Sequence, residues 1–142
     1  MADSFDLERF VSAQEPMVPQ VLQELRSGRK RSHWMWFVFP QLRALGQSPT
    51  AKRYGIGSLE EARAYMAHPV LGQRLIQCTD LVRAIEGRSL EGIFGSPDDM
   101  KFRSSMTLFA RASAATPVFA EALQQFCDGE PDPRTEAFLA VG

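Results

Sequence analysis

Proline recurs along this chain directly after a capping or turn-forming residue: Glu15-Pro16, His68-Pro69, Ser96-Pro97, Thr116-Pro117 and Asp132-Pro133. Proline suits the first position of a helix, where its missing N–H is not needed and its fixed φ is already helical. It fits poorly in a helix interior or a central strand. Ser58-Leu-Glu-Glu61 adds capping-box spacing, in which a serine side chain and the glutamate three residues on satisfy each other's orphan backbone donors. Six helix starts in 142 residues leave room only for short helices and short connections.

Apolar periodicity agrees with this punctuation. Between Pro69 and Glu86, Leu71, Leu75, Cys78, Val82 and Ile85 recur at spacings of three and four and trace one helical face. Phe102, Met106, Phe109 and Ser113 repeat the pattern after Pro97, and Leu7, Phe10 and Val11 open a helix near the N-terminus. Strand signals are poor throughout. Gly28, Gly46, Gly55, Gly57, Gly87, Gly92, Gly95 and Gly129 fall at the joins, as packed antiparallel helices require. The predicted fold is all-α: a compact array of about six to eight short helices in one domain over residues 1–142.

A formal net charge of -1 argues against a protein that coats nucleic acid through many phosphate contacts, so no strong nucleic-acid signal is present. Cys78 and Cys127 lie far apart and belong to no Cys/His cluster, which points to reduced, buried thiols and to neither a disulfide framework nor a zinc site. The N-terminus is acidic where a secretory segment would be basic, and the apolar run Trp34 to Phe39 is too short to span a bilayer. A cytoplasmic protein without a membrane partner is the expectation.

Two segments carry candidate chemistry. Ser32-His-Trp-Met-Trp-Phe-Val-Phe-Pro-Gln41 packs aromatic residues beside His33 and Gln41, directly after the basic run Arg26, Arg29, Lys30 and Arg31. Trp34, Trp36, Phe37 and Phe39 read either as core or as a wall on which a planar ring stacks, with the basic run as a phosphate-binding rim or as an ordinary solvated loop. On the helix after Pro97, Asp98, Lys101 and Ser105 share a face, with Ser104 beside them. That face is either a capped helix end with an Asp98–Lys101 ion pair or the side of a cleft in which Lys101 and the Ser104, Ser105 and Thr107 hydroxyls hold an anionic or hydroxylated ligand. Arg74 and Tyr54 are further candidate ligand contacts, and His68 reads as a helix cap. No phosphate-loop, dinucleotide, metal-ligand or nucleophile-elbow motif is present, so no catalytic residue, metal or cofactor is assigned.

The ordered motifs identify a resemblance. They are Gly28-x-Lys30-x-Ser-His-Trp-Met-Trp-Phe-Val-Phe-Pro-Gln41, Leu45-Gly-x-Ser48, Tyr54-Gly-Ile, Glu61-Ala-x-Ala-Tyr65, His68-Pro-Val-Leu-Gly-x-Arg-Leu75 and Ile93-Phe-Gly-x-x-Asp-Asp-x-Lys-x-Arg-Ser-Ser-Met-Thr-Leu-Phe109. Together they resemble the domain-of-unknown-function family 1810, from Phe5 to about Leu139, with a departure near Pro16 to Val18 where an aromatic residue is expected. The resemblance implies a stand-alone bacterial helical domain and assigns no activity. The calpastatin label that some members carry has no support in these residues.

The polar residues of these motifs suggest one cleft lined by His33, Trp36, Gln41, Tyr54, Arg74, Lys101, Ser104 and Ser105. Its expected ligand is a phosphate-bearing or nucleotide-like small molecule, bound with or without turnover. The alternative is a non-catalytic protein interaction module that exposes the aromatic segment.

Overall fold

Each proline pair singled out above opens a helical element or stands within two residues of one. The structure, a computed structural model, describes residues 3–141. Among them run helices α1 (Glu8–Gln14), α2 (Val18–Ser27), α3 (Met35–Val38), α4 (Pro49–Arg53), α5 (Leu59–Ala67), α6 (Leu71–Arg83), α7 (Leu90–Phe94), α8 (Asp98–Ala112), α9 (Val118–Cys127) and α10 (Pro133–Val141). Single 3₁₀ turns occupy Glu15–Met17 and Arg43–Leu45. The helix count exceeds the predicted six to eight because α3, α4 and α7 are little more than one turn each, too short to show a period in sequence. The sole β pairing among the described residues is an isolated parallel bridge between Leu42 and Ile56.

Among the expected helix starts, Ser58, His68 and Asp132 cap with their side chains, whereas those at Glu15, Ser96 and Thr116 have no side-chain cap. Ser48, Ser58 and Ser89 each accept from the backbone N–H three residues on. Asp132 Oδ2 accepts from the Thr135 N–H and hydroxyl at 2.9 and 2.6 Å and starts α10. His68 Nδ1 accepts from the amides of Val70 and Leu71 at the start of α6, as its capping reading requires. The Ser58 box closes one residue early, since Glu61 accepts from the Gly57 amide.

Helix α8 is the axis of the array and packs against α5, α7, α9 and α10, while α6 packs against α2, α5 and α9. Phe102, Met106 and Phe109 supply its fully buried face, as their spacing predicts. Aromatic rings join the layers: Phe39 meets Phe102 edge-on at 5.1 Å, Phe94 stacks on Phe102 at 5.0 Å, and Tyr65 lies 5.2 Å from Phe109. Where α5 meets α6, Gly72 permits contact that no side chain allows, because a Cβ there would stand 2.1 Å from the Met66 carbonyl oxygen. Cys78 is buried, Cys127 half-buried, and both thiols are free; burial pushes the Cys78 thiol up to about 12 and keeps it protonated.

A single buried carboxylate shapes the connection from α2 to α3. Glu24, on the inner face of α2 with Val21 and Leu25, is 5% exposed. Its Oε1 accepts from the amides of Arg31 and Ser32 and from the Trp34 indole N–H at 2.7, 3.1 and 3.0 Å. Its Oε2 accepts from the Ser32 hydroxyl at 2.7 Å and the Gln20 amide at 3.1 Å. Gly28, with φ of 85°, turns the chain back so that this loop can wrap the carboxylate. Burial by itself raises the Glu24 pKa, but the donors from Arg31, Ser32 and Trp34 outweigh it and hold the carboxyl at about 2.

Two outcomes follow for stability. Gly72→Ala is expected to destabilise the protein by about 2 to 4 kcal/mol in chemical denaturation, because backbone must move to admit the methyl group. For Glu24 the folded pKa lies below the unfolded value, so its contribution is complete above about 4.5 and is lost as pH falls toward about 2. After allowance for solvent screening this amounts to on the order of 1 to 2 kcal/mol. Glu24→Gln should therefore lower stability at pH 7 and flatten the acid limb of the stability–pH curve between those values. An unchanged acid limb would show that Glu24 is not the titrating group.

Candidate functional site

The eight residues expected to share a cleft divide into groups. Gln41, Lys101 and Ser104 line one cavity of about 200 Å³ with Leu45, Gln47, Pro97, Met100, Asp132 and Arg134. Three elements build it: the first turns of α8, the start of α10, and the segment around residues 41–47. The Leu42–Ile56 bridge fixes that segment, with the Ile56 amide donating to the Gln41 carbonyl at 2.9 Å and the Arg43 amide to the Ile56 carbonyl at 2.8 Å. Gly55 makes the approach possible, since a Cβ there would lie 2.4 Å from Arg43 Cα.

Lys101 is the best-defined cation of the cavity. Its Nζ lies 3.4 Å from Asp98 Oδ1 and 5.7 Å from the centroid of Trp36. Trp36 is half-buried and stands beside the cavity, and exposed His33 lies 6.5 Å from it, ring to ring. Trp36 and, through it, His33 thus adjoin the Lys101 side of the cavity without lining it, while Asp132 and Arg134 bring the start of α10 into the lining. The aromatic run feeding this stretch is mostly core: Trp34, Phe37 and Phe39 are buried, and only Trp36 reaches solvent.

The hydroxyls of α8 behave differently from one another. Ser104 Oγ donates to the Met100 carbonyl at 3.1 Å, a local bond that spends its proton and leaves its acceptor capacity unused. Thr107 Oγ1 donates to the Arg103 carbonyl and accepts from the Asp132 amide at 2.8 Å, so it ties α10 to α8 and is not available to a ligand. Ser105 is fully buried and its hydroxyl has no hydrogen-bond partner among the described residues. Neither Ser104 nor Ser105 is hydrogen-bonded to an imidazole: His68 is engaged at the start of α6, and His33 lies against Trp36.

Arg74 and Tyr54 lie elsewhere. Arg74 donates to Gln14 Oε1 at 3.1 Å and to Glu15 Oε2 at 3.2 Å, and Gln14 in turn donates to the Phe37 carbonyl and the Tyr65 hydroxyl. That chain pins α6 to the N-terminal helices, over an apolar void of about 10 Å³. Tyr54 packs on Phe10 and Phe37, at 6.1 and 5.4 Å, and borders a shallow groove with Arg9 and Arg53. Arg9 is consumed there: it donates to the carbonyls of Phe5, Asp6, Arg53 and Gly55 and pairs with buried Glu61 at 2.8 Å.

Three participants were not singled out in the sequence, Glu24, Gln47 and Arg134, and a fourth, Asp132, was singled out only as a helix start. Glu24 carries a readable signal, an acid in register with Val21 and Leu25 on an apolar helical face. Asp132 was legible as a cap but not as a cavity wall, and Arg134 follows from it by two positions. Nothing local marks Gln47. Among the described residues no group of His, Cys, Asp and Glu is arranged to hold a metal ion, and no helix is long and apolar enough to cross a membrane.

Comparison with known proteins adds relatives but no activity. A search of curated proteins finds no match to the chain. The crystal structure of the conserved hypothetical protein Rv1873 from Mycobacterium tuberculosis matches with a TM-score of 0.97 at 61% identity, covering 99% of this chain and 100% of that one. A family model described as a protein of unknown function, DUF1810, matches residues 4–139, the span over which the helix starts, the aromatic segment and the Lys101 helix have been described. The chain belongs to the DUF1810 family.

Proposed function

We propose that the cavity between α8, α10 and residues 41–47 binds a phosphate-bearing or nucleotide-like small molecule in a cytoplasmic protein. The observation that carries this reading is the placement of Lys101, which lines the cavity with Gln41 and Ser104 while its ammonium lies 5.7 Å from half-buried Trp36. A cation, an amide and a hydroxyl beside an indole match an anion attached to a planar ring. Arg134, which is exposed, adds a second cation to the lining.

Size refines the fit. About 200 Å³ is below the roughly 300 to 1,000 Å³ of cavities that engulf drug-sized ligands, so the cavity takes a phosphate and part of a sugar. The remaining ring would rest outside, against Trp36 and Met100, the latter 63% exposed. The proposal is binding alone, because a serine nucleophile needs an adjacent base and neither serine of α8 is paired with one. Burial of Trp34, Phe37 and Phe39 counts against the interaction-module alternative, since it removes most of the apolar area such a patch would present.

The test is a thermal-shift screen against nucleotides, ADP-ribose, sugar phosphates and inorganic pyrophosphate, followed by calorimetry on any compound that raises the melting temperature. Lys101→Ala should weaken binding by about tenfold or more, as loss of a charge-assisted contact implies. Trp36→Ala should weaken nucleotides while leaving inorganic pyrophosphate nearly unchanged. Absence of any shift across the panel, or binding insensitive to Lys101→Ala, would contradict the reading.

A further inference from the structure

The basic run before the aromatic segment does not form a uniform rim. Arg26, Arg29 and Arg31 are exposed, whereas the Lys30 side chain turns inward and is 8% exposed. Its amide donates to the Ile93 carbonyl at 2.8 Å, and its ammonium lies 5.3 Å from the centroid of the Trp34 ring and 2.9 Å from Asp98 Oδ2. Asp98 presents its other oxygen, Oδ1, to Lys101 at 3.4 Å. One carboxylate therefore stands between two ammonium groups, one inside the protein and one at the cavity.

The charge count decides what this arrangement does. An isolated Asp98–Lys101 pair would be neutral, and an anion reaching Lys101 would meet the repulsion of the carboxylate beside it. With Lys30 already neutralising Asp98 from the buried side, the triad keeps one net positive charge, carried by Lys101 at the cavity, whose other charged lining residues, Asp132 and Arg134, offset each other. Partial burial strengthens each of these interactions relative to bulk water, since the Lys30, Asp98 and Lys101 side chains are 8%, 20% and 25% exposed.

We propose that Lys30 sets the charge preference of the cleft: it cancels Asp98 from within the protein and so leaves Lys101 free to hold an anionic group that Lys30 never touches. This rests on the reading of the cavity as a ligand site. It requires a ligand with at least one full negative charge, and it makes Lys30 a positioning residue whose effect passes entirely through Asp98.

Calorimetric titration with inorganic pyrophosphate tests this on the wild type, Lys30→Met, Asp98→Asn and the double variant, each first checked for a cooperative melt. Lys30→Met should bind about tenfold more weakly, because Asp98 then neutralises Lys101. Asp98→Asn should bind as tightly as the wild type or more so. Adding Asp98→Asn to Lys30→Met should restore affinity to within about threefold of the wild type, a rescue that a packing role for Lys30 would not give. Equal affinity of Lys30→Met and wild type, or a double variant as weak as Lys30→Met, would overturn this inference alone. A wild type that binds neither pyrophosphate nor any other compound of the panel would overturn it together with the reading of the cavity. If Lys30→Met does not fold, Asp98→Asn decides, and weaker pyrophosphate binding by that variant would overturn the inference.

Discussion

A carboxylate in the interior is costly unless donors surround it, and Glu24 has five. That requirement dictates the path of the chain after α2. The amides of Arg31 and Ser32 must point inward, which turns the loop around the acid. The Trp34 indole must reach it, which sinks that ring into the core. Once Trp34 is fixed, α3 follows directly, and its single turn puts Phe37 and Val38 into the core and leaves Trp36 at the surface beside Lys101. The position of the one accessible tryptophan is therefore set by a glutamate on another helix.

The same loop carries the electrostatics of the candidate site. Lys30 is drawn inward between Trp34 and Asp98, and Asp98 in turn meets Lys101. Acid and base alternate from the core outward, ending in a cation at a cavity. Elsewhere, Arg9 and Glu61 form a buried pair in which the remaining donors of Arg9 are spent on backbone carbonyls. Glu61 also faces exposed Arg43 at 4.0 Å, so a carboxylate again stands between an inner and an outer cation; there the bonds of Arg9 to backbone carbonyls hold the N-terminal helix to the α4–α5 connection, whereas Lys101 of the Lys30–Asp98–Lys101 series lines a cavity.

Much of the fold was legible because its signals are local. Proline pairs and the Ser58 box marked the starts of α5, α6, α8, α9 and α10, and three-and-four spacing marked the buried faces of α6 and α8. The one-turn helices were not legible, because so short an element is held by its neighbours. The site was legible in part. Lys101, Ser104 and Gln41 meet because α8 docks against the 41–47 segment, while Arg74 and Tyr54, equally prominent in sequence, serve contacts to α1 and α3. A polar residue inside an aromatic motif can reflect a ligand or a buried hydrogen bond, and only tertiary partners such as Arg74 for Gln14, or Lys30 for Asp98, separate the two. Glu24 was missed because an acid on a helix reads by default as solvent-facing.

The chain has two tryptophans, and they occupy opposite roles in this account: the Trp34 indole N–H is locked on Glu24, and Trp36 borders the cavity. Two-dimensional 1H–15N NMR resolves their indole signals separately, so one spectrum contains both the probe and its internal control. On titration with ADP-ribose, the Trp36 indole signal and the amides around Gln41 and Lys101 should move while the Trp34 indole stays in place. Movement confined to the groove at Arg53 and Tyr54, or a displaced Trp34 with Trp36 unmoved, would contradict the assignment of the cavity as the ligand site.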